Sequence, residues 1–257
     1  MEIVIREMKT IAELEQMQAV EEAVWQDAAT PIHQTLTVFH NGGVLIGAFL
    51  GEKMIGFQYS FAGFDGKEAY LVSHSLGILP EYRKSGLGEK IKLKQAEVAA
   101  EKGYSKMIWT FDPLESVNAY LNLHKLGGSA VSYKENHYGT MEDGLNKGLA
   151  TDRFLVEWDF QEPIASLANS FDTSRLLLEM DLERNPKRTT VSFDGDGDVW
   201  FVAIPENMQK IKVESLDLAS EWRMCTREVF QLLFSNGYQA KDVIRGENVS
   251  YYGFVKR

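Results

Sequence analysis

The run LGILPEYRKSGLGEK, residues 76–90, places Arg83, Lys84 and Ser85 directly before Gly86, Leu87 and Gly88. An apolar stretch leads into it and a long helical pattern follows. Glycine lets a backbone approach a ligand closely. A helix N-terminus offers unpaired N–H groups and the positive end of the helix dipole. Basic side chains, an accessible backbone and a helix start together suit an anion, with a phosphate or something carrying phosphates as the natural ligand. The pattern R-x-x-G-x-G is neither G-x-G-x-x-G nor G-x-x-x-x-G-K, so it signals neither a dinucleotide fingerprint nor a Walker loop. Taken bare, it also fits an ordinary strand-to-helix turn.

Other chemistry-bearing residues are sparser. His74 lies on the strand before the loop, in the stretch Leu71 to Leu76, which contains no acid. Asp194-Gly195-Asp196-Gly197-Asp198 has the beginning of a calcium loop. Its sixth position is Val199 and its twelfth Pro205, so we read it as a hairpin turn. The histidines show no metal-ligand spacing and the lone Cys225 cannot build a zinc site, so no metal is expected. Cys225 falls within a helix among apolar residues and reads as packing. Asp152-Arg153 reads as a structural ion pair, with a substrate-carboxylate site as its alternative. Trp109, Phe111 and Trp158 alternate on strands and read as core.

These residues need elements to position them. Residues 2–6 predict a strand. Thr10 to Glu13 is a capping box that opens a helix reaching about Trp25. A second helix covers residues 31–40. VLIGAFL and MIGFQYSF predict a hairpin, and Asp65-Gly66 a second turn into EAYLVSHSLGIL. Helices follow at Gly86–Lys102 and Leu114–Leu126, with a strand KMIWTF between them and strands SAVSYKE and RFLVEWDF after. The order β, α, α, β, β, β, α, β, α, β, β implies an α/β (α+β) fold with one mixed sheet and helices on its faces. Beyond it we expect a hairpin over residues 189–204, a helix Asp217–Asn236 and two closing strands, a β-β-α-β-β extension. Residues 161–175 are a plausible seam.

With 257 residues, 44% hydrophobic and 25% charged, the chain reads as an ordinary globular protein. Its formal net charge of −10 argues against a nucleic-acid partner. The N-terminal sequence lacks the basic and apolar regions of a signal peptide, and no run reaches the roughly 18 apolar residues of a membrane span. A single cysteine allows no internal disulfide. The expectation is a cytoplasmic protein without a membrane partner.

From Ile78 to Gly128 the sequence resembles the GCN5-related N-acetyltransferase (GNAT) superfamily. The resemblance rests on ILPEYRKSGLGEK and on the later helix NAYLNLHKLGG, and extends loosely over residues 1–160. It implies a GNAT acyltransferase domain at 1–160 and a C-terminal extension at 161–257, a segment that could cap the acceptor site or build a homodimer interface. It implies acetyl-CoA or another acyl-CoA, such as succinyl-CoA, as co-substrate, with the pyrophosphate on the backbone of Lys84 to Gly88 and charge from Arg83 and Lys84. Backbone groups of Leu76, Gly77 and Ile78 would face the acyl carbonyl, on a bulged strand that splays from its neighbour. Asn118 would meet the pantetheine arm, sharing a helix face with Asn122. His74 becomes the catalytic candidate on the strand. The tyrosine that many relatives carry four residues before the last helix glycine is here Leu123. Tyr120, one turn earlier, becomes the candidate acid, and His124 is expected to point elsewhere. The acceptor would be a small-molecule amine. The rival reading, prompted by the missing carboxylate and tyrosine, is a non-catalytic acyl-CoA-binding module.

Overall fold

The computed structural model describes residues 2–26, 29–83, 85–141 and 146–257. Contacts group the chain into two compact units, Met1–Trp109 with Asp159–Gln161, and Thr110–Trp158 with Glu162–Arg257.

The first unit carries β1 (Ile3–Glu7), α1 (Ile11–Trp25), α2 (Ile32–His40), β2 (Val44–Leu50), β3 (Lys53–Phe64), β4 (Ala69–Ile78), α3 (Leu87–Glu101) and the start of β5 (Lys106–Phe111). Its strands follow the order β1-β2-β3-β4-β5. The first four pair antiparallel, and β4 pairs parallel with β5, so the sheet is mixed. The capping box forms at the start of α1: Thr10 Oγ1 accepts from the Glu13 N–H at 3.3 Å, and Glu13 Oε2 accepts from the Thr10 N–H at 3.1 Å. The Asp65 turn forms as its chemistry requires, with Oδ1 accepting from the N–H groups of Lys67 and Glu68. Met8, Leu14, Met17 and Val20 pack with Leu45, Phe49, Phe57 and Tyr59. On α3, Leu87, Ile91, Gln95, Val98 and Ala99 recur at helical spacing and are buried.

The second unit carries α4 (Ser116–Ala119), which runs into a π turn at Tyr120–Lys125, then β6 (Ser129–Lys134) and β7 (Arg153–Asp159). The C-terminal segment adds β8 (Leu176–Met180), β9 (Pro186–Arg188), β10 (Val199–Pro205), α5 (Met208–Glu214), α6 (Leu216–Ser235), β11 (Tyr238–Arg245) and β12 (Val249–Lys256). Its strand order is β7-β6-β11-β12-β10-β8-β9. Ala219, Trp222, Thr226, Val229, Phe230 and Leu233 form the buried stripe of α6, whose Ser215 cap accepts from the Leu218 N–H at 3.2 Å. Phe154 of β7 sits edge-on to Phe230, Phe234, Tyr252 and Phe254, all from the C-terminal segment. Burying aromatic side chains of this size contributes roughly 1.5–3 kcal/mol each.

Packing thus groups β6 and β7 with residues 162–257. The division at residue 160 follows family resemblance and concerns function.

Three expectations about elements need correction. Residues 189–204 are not a hairpin. β9 pairs with β8, and β10 pairs parallel with β8 and antiparallel with β12, so the GDGD stretch joins strands that are not partners. Its loop is pinned instead by Tyr238, whose Oη lies 2.5 Å from the Gly197 carbonyl. The extension also has a strand, β8, and a helix, α5, that the β-β-α-β-β reading lacked. The helix expected over Leu114–Leu126 starts at Ser116 and changes to π geometry at Tyr120.

Candidate functional site

In the first unit the candidate site is built around β4. The β3–β4 register passes from Tyr59 opposite Ser75 to Ser60 opposite Ser73, which leaves His74 as the extra residue of a β-bulge. The β4–β5 pairing covers Leu71 and Val72, opposite Met107 and Ile108. From Ser73 onward β4 has no β5 partner among the described residues. Leu76, Gly77 and Ile78 therefore present alternate backbone groups to an unpaired strand side. Gly77 also meets a steric demand, because a Cβ there would stand 2.5 Å from the Phe57 ring.

The exposed His74 ring lies edge-on to Tyr59, with centroids 5.8 Å apart, and tilted against Phe61 at 5.7 Å. Beneath the bulge lies a polar cluster that sequence reasoning missed. Ser73 Oγ accepts from Lys92 Nζ at 2.8 Å and from Gln58 Nε2 at 3.0 Å, and lies 3.3 Å from Gln95 Oε1. The Lys92 ammonium position is also 3.7 Å from the centre of the Trp109 ring. Lys92 is 3% exposed, and its burial pushes the amine well below the usual lysine range. Only its run of buried neighbours on α3, one turn apart, could have hinted at it.

Past Ile78 the chain makes one 3-10 turn at Pro80–Tyr82 and enters α3. Arg83 Nε donates to the Ile78 carbonyl at 3.0 Å, which ties the loop to the end of β4. Ser85 Oγ donates to the Tyr82 carbonyl at 2.7 Å. Gly86 is the N-cap of α3 with φ of 76°, and no side chain caps the helix. Nothing lies within 4 Å of the position a Cβ on Gly86 would take. Gly86 is exposed and Gly88 half-buried, while the Leu87 side chain is buried and leaves only its backbone for a ligand. Lys84 lies outside the described residues. Leu76, Gly77, Ile78, Arg83, Ser85, Gly86, Leu87 and Gly88 thus form one strand–turn–helix unit, with His74 at its head.

The second unit holds the other candidates. In the π turn the Leu126 N–H donates to the Leu121 carbonyl, five residues back, at 3.0 Å. Asn118 is exposed but Asn122 is buried, so the shared face expected for an unbroken α-helix does not exist. Leu123, at the position of the missing tyrosine, is fully buried. Tyr120 and His124 stack face to face, with centroids 4.4 Å apart and planes 20° apart. The Nδ1 of His124 lies 2.8 Å from Oδ1 of the buried Asp242 on β11. The Arg245 guanidinium covers the Tyr120 ring at 3.8 Å. Asp242 is 118 residues away in sequence, and nothing local signals the pair.

Asp152 and Arg153 are structural, though not as a pair of side chains. Asp152 accepts from Arg227 Nε and Nη2, both at 2.9 Å, and from the Tyr133 hydroxyl. Arg153 reaches the Asn146 side chain at 2.6 Å and Asp112 at 3.7 Å. Asp112 takes a two-pronged bond from Arg223, at 3.0 and 2.5 Å. Cys225 is half-buried, outside the buried stripe of α6, and burial with the nearby Glu221 and Glu228 pushes its thiol up. Trp109, Phe111 and Trp158 are buried. Among the described residues no cluster of side chains could hold a metal ion, and no helix is long and apolar enough to cross a membrane.

Residues 8–127 match the family model described as the acetyltransferase (GNAT) family. No curated protein matches the chain. Among solved structures, the chain is similar to the ribosomal-protein-S18-alanine N-acetyltransferase of Escherichia coli at 13% identity and a TM-score of 0.51, over 63% of this chain and 96% of that one. A putative acetyltransferase of Salmonella typhimurium, solved with acetyl-CoA, is similar at 17% identity and a TM-score of 0.51, over 63% and 96%. The ribosomal-protein-alanine N-acetyltransferase of Brucella melitensis is similar at 17% identity and a TM-score of 0.50, over 61% and 99%. At these identities the likeness concerns the fold.

Proposed function

Residues 8–127 are a domain of the GNAT acetyltransferase family, and from that premise we propose that the chain is an acyl-CoA-dependent N-acyltransferase. It moves an acetyl group, or a larger one such as succinyl, to a small amine or amino acid. The observation that carries this reading is the strand–turn–helix unit. β4 loses its β5 partner after Val72 and leads through Gly86 into a helix that no side chain caps.

The residues present fit the diphosphate of CoA. At Gly86 the space a side chain would fill is open, so a phosphate oxygen can reach the N–H groups that open α3. Arg83, held to the strand end through Nε, adds positive charge there, and Lys84 is proposed to do the same. Bound acyl-CoA supplies a thioester, an activated acyl donor. Backbone N–H groups of Leu76–Ile78 on the unpaired side would hold its carbonyl and stabilise negative charge as it develops. His74, on the bulge beside this stretch, contacts the acceptor or assists its deprotonation. Tyr120 and Asn118 are assigned to the thiol and pantetheine end. The amine attacks the acyl carbon directly, and positioning supplies much of the rate. The acetyl-CoA named with the Salmonella structure supports the choice of donor. We assign the protein to the cytoplasm, and a homodimer through the C-terminal segment stays part of this proposal.

A thermal-shift series with CoA, acetyl-CoA, succinyl-CoA and ATP tests the reading. Ligand at about 100 times its dissociation constant adds about 2.7 kcal/mol of stability, a readily measured rise in melting temperature. Stabilisation by the CoA compounds and not by ATP is expected, followed by thiol release with primary amines. Stabilisation by acyl-CoA with no thiol release from any amine would favour the non-catalytic binding module. No stabilisation by any CoA compound would reduce the loop to a turn.

A further inference from the structure

The buried polar cluster beneath β4 sits where two strands of the first unit part, and nothing in the resemblance gives it a task. Among the described residues the β4–β5 pairing ends at Val72 and Ile108. The next residues of the two strands are Ser73 and Trp109. The Lys92 amine reaches both: Nζ donates to Ser73 Oγ at 2.8 Å and stands 3.7 Å from the centre of the Trp109 ring. One side chain further back on β5, Met107 Sδ lies 3.6 Å from the same nitrogen. The amine thus touches β4 and β5 at their branch point.

Ser73 is held from three sides, by Lys92, by Gln58 Nε2 at 3.0 Å and by Gln95 Oε1 at 3.3 Å. Gln58 stands opposite Leu76, and Ser73 opposite Ser60. The Gln58 bond therefore runs diagonally across the bulge at His74. Lys92 and Gln95 are three residues apart on α3 and share a face. All four side chains are buried, and no carboxylate pairs with Lys92 among the described residues. A buried amine without a counter-charge costs stability, and an apolar side chain of the same length would pack against Met107 and Trp109 without that cost. What the polar group adds is direction. Flattening the bulge would shift Ser73 by one position and turn its hydroxyl to the other face of the sheet, away from the amine. The N-cap of α3 is Gly86, and Lys92 lies about 9 Å further along the helix axis. One helix thus carries the proposed diphosphate loop at its start and the branch-point amine less than two turns on.

We propose that Lys92 is a positioning residue for the acyl transfer. It locks the point at which β4 leaves β5 and the bulge that follows, and so holds His74 and the Leu76–Ile78 edge in place for the thioester. This rests on the acyltransferase reading. Lys92 touches no reacting atom and acts through Ser73. The diphosphate is held by the loop at Gly86, so loss of the amine leaves the grip on CoA and displaces the acyl end. A misplacement of about 1 Å at the reacting centre can cost on the order of 100-fold in rate.

The test compares the full-length chain with Lys92→Met, which keeps the length and removes the donors, and with the double variant Lys92→Met/Ser73→Ala, which leaves no hydroxyl unpaired. The readouts are melting temperature, CoA affinity, amide hydrogen exchange, and thiol release from acetyl-CoA with a panel of primary amines (spermidine, tyramine, lysine and an alanyl peptide). Both variants are expected to melt no lower than the unmodified chain, to bind CoA within about twofold of it and to lower kcat by about 100-fold. The amides of Ser73–Ile78 that pair with β3 should exchange at least about tenfold faster, with the rest of the first unit unchanged. A residue serving only the core would lower the melting temperature and speed exchange throughout the unit, and that result overturns the proposal. So does unchanged exchange at Ser73–Ile78, and so does turnover at the wild-type kcat. If no amine of the panel is acylated, the exchange pattern alone decides. Failure of the unmodified chain to bind CoA would overturn the acyltransferase reading itself, while the exchange pattern still reports whether Lys92 holds the branch point.

Discussion

Replacing Gly86 separates its backbone role from its proposed ligand role. Its φ of 76° lies in the left-handed region, where a side-chain-bearing residue costs roughly 1–2 kcal/mol. No atom lies within 4 Å of the new Cβ, so no packing clash adds to that figure. At about 2–4 °C per kcal/mol for a protein of this size, Gly86→Ala should melt about 2–8 °C lower, and Gly86→Val somewhat lower still. The effect on ligand is of a different kind. A side chain at this N-cap stands where a phosphate oxygen must approach, so CoA affinity should fall well beyond tenfold for valine, which is more than about 1.4 kcal/mol of binding free energy. Gly103 provides the control. It follows the other end of α3 with φ of 92° and equally empty surroundings. Gly103→Ala should lose similar stability and no CoA affinity. Calorimetric titration with CoA, performed well below the melting temperatures, reads the difference. If Gly86→Val shows the stability loss and binds CoA as the unmodified chain does, the anion-site reasoning is wrong.

Two further outcomes follow from buried charges. Lys92 has its amine lowered by burial, so the unfolded chain binds more protons between that lowered value and the roughly 10.4 of a free lysine. Stability should therefore rise with pH through this window, and in Lys92→Met the slope should vanish while neutral-pH stability is kept or improved; parallel urea curves for the two proteins across pH would refute it. Asp112→Ala removes both bonds to Arg223, which is 3% exposed, and leaving that cation unpaired should cost about 3–5 kcal/mol. Removing the exposed Lys94–Glu97 pair should cost under about 1 kcal/mol, so equal losses in urea titrations would show that burial is not what sets the difference.

Local signals carried far in this sequence. The Thr10–Glu13 box, the Asp65 turn and the helical period of α3 each act within a few residues, and the structure has them where the residues put them. The glycine turn into α3 was legible for the same reason, since a glycine at a helix start is a local device. What local patterning could not carry was the choice of partner. The GDGD stretch has turn chemistry, yet β8 lies between β9 and β10 in the sheet. The apolar spacing of residues 114–126 suits an α-helix. The π turn within it faces β11, whose Asp242 meets His124, and no window of a dozen residues contains both ends of that bond. Lys92 reads as a surface lysine until Ser73 and Trp109, from two strands, close over it.

The contacts of residues 110–130 also constrain what the C-terminal segment can be. Arg223 holds Asp112, Tyr252 donates to the Pro113 carbonyl at 2.8 Å, Gln209 holds Glu115, and Ser250 meets Ser116 at 2.8 Å. Asp242 then meets His124, and Lys241 meets Ser129. Nearly every turn of the stretch that carries Asn118 and Tyr120 is held by a residue from beyond position 200. An appended module with a separate task would keep its core to itself. Here Phe230, Phe234, Tyr252 and Phe254 surround Phe154 of β7 instead. Residues 162–257 therefore act as a brace, built from both side-chain bonds and shared core, and the segment that supplies Asp242 is also the one that fixes the helix on which His124 is displayed.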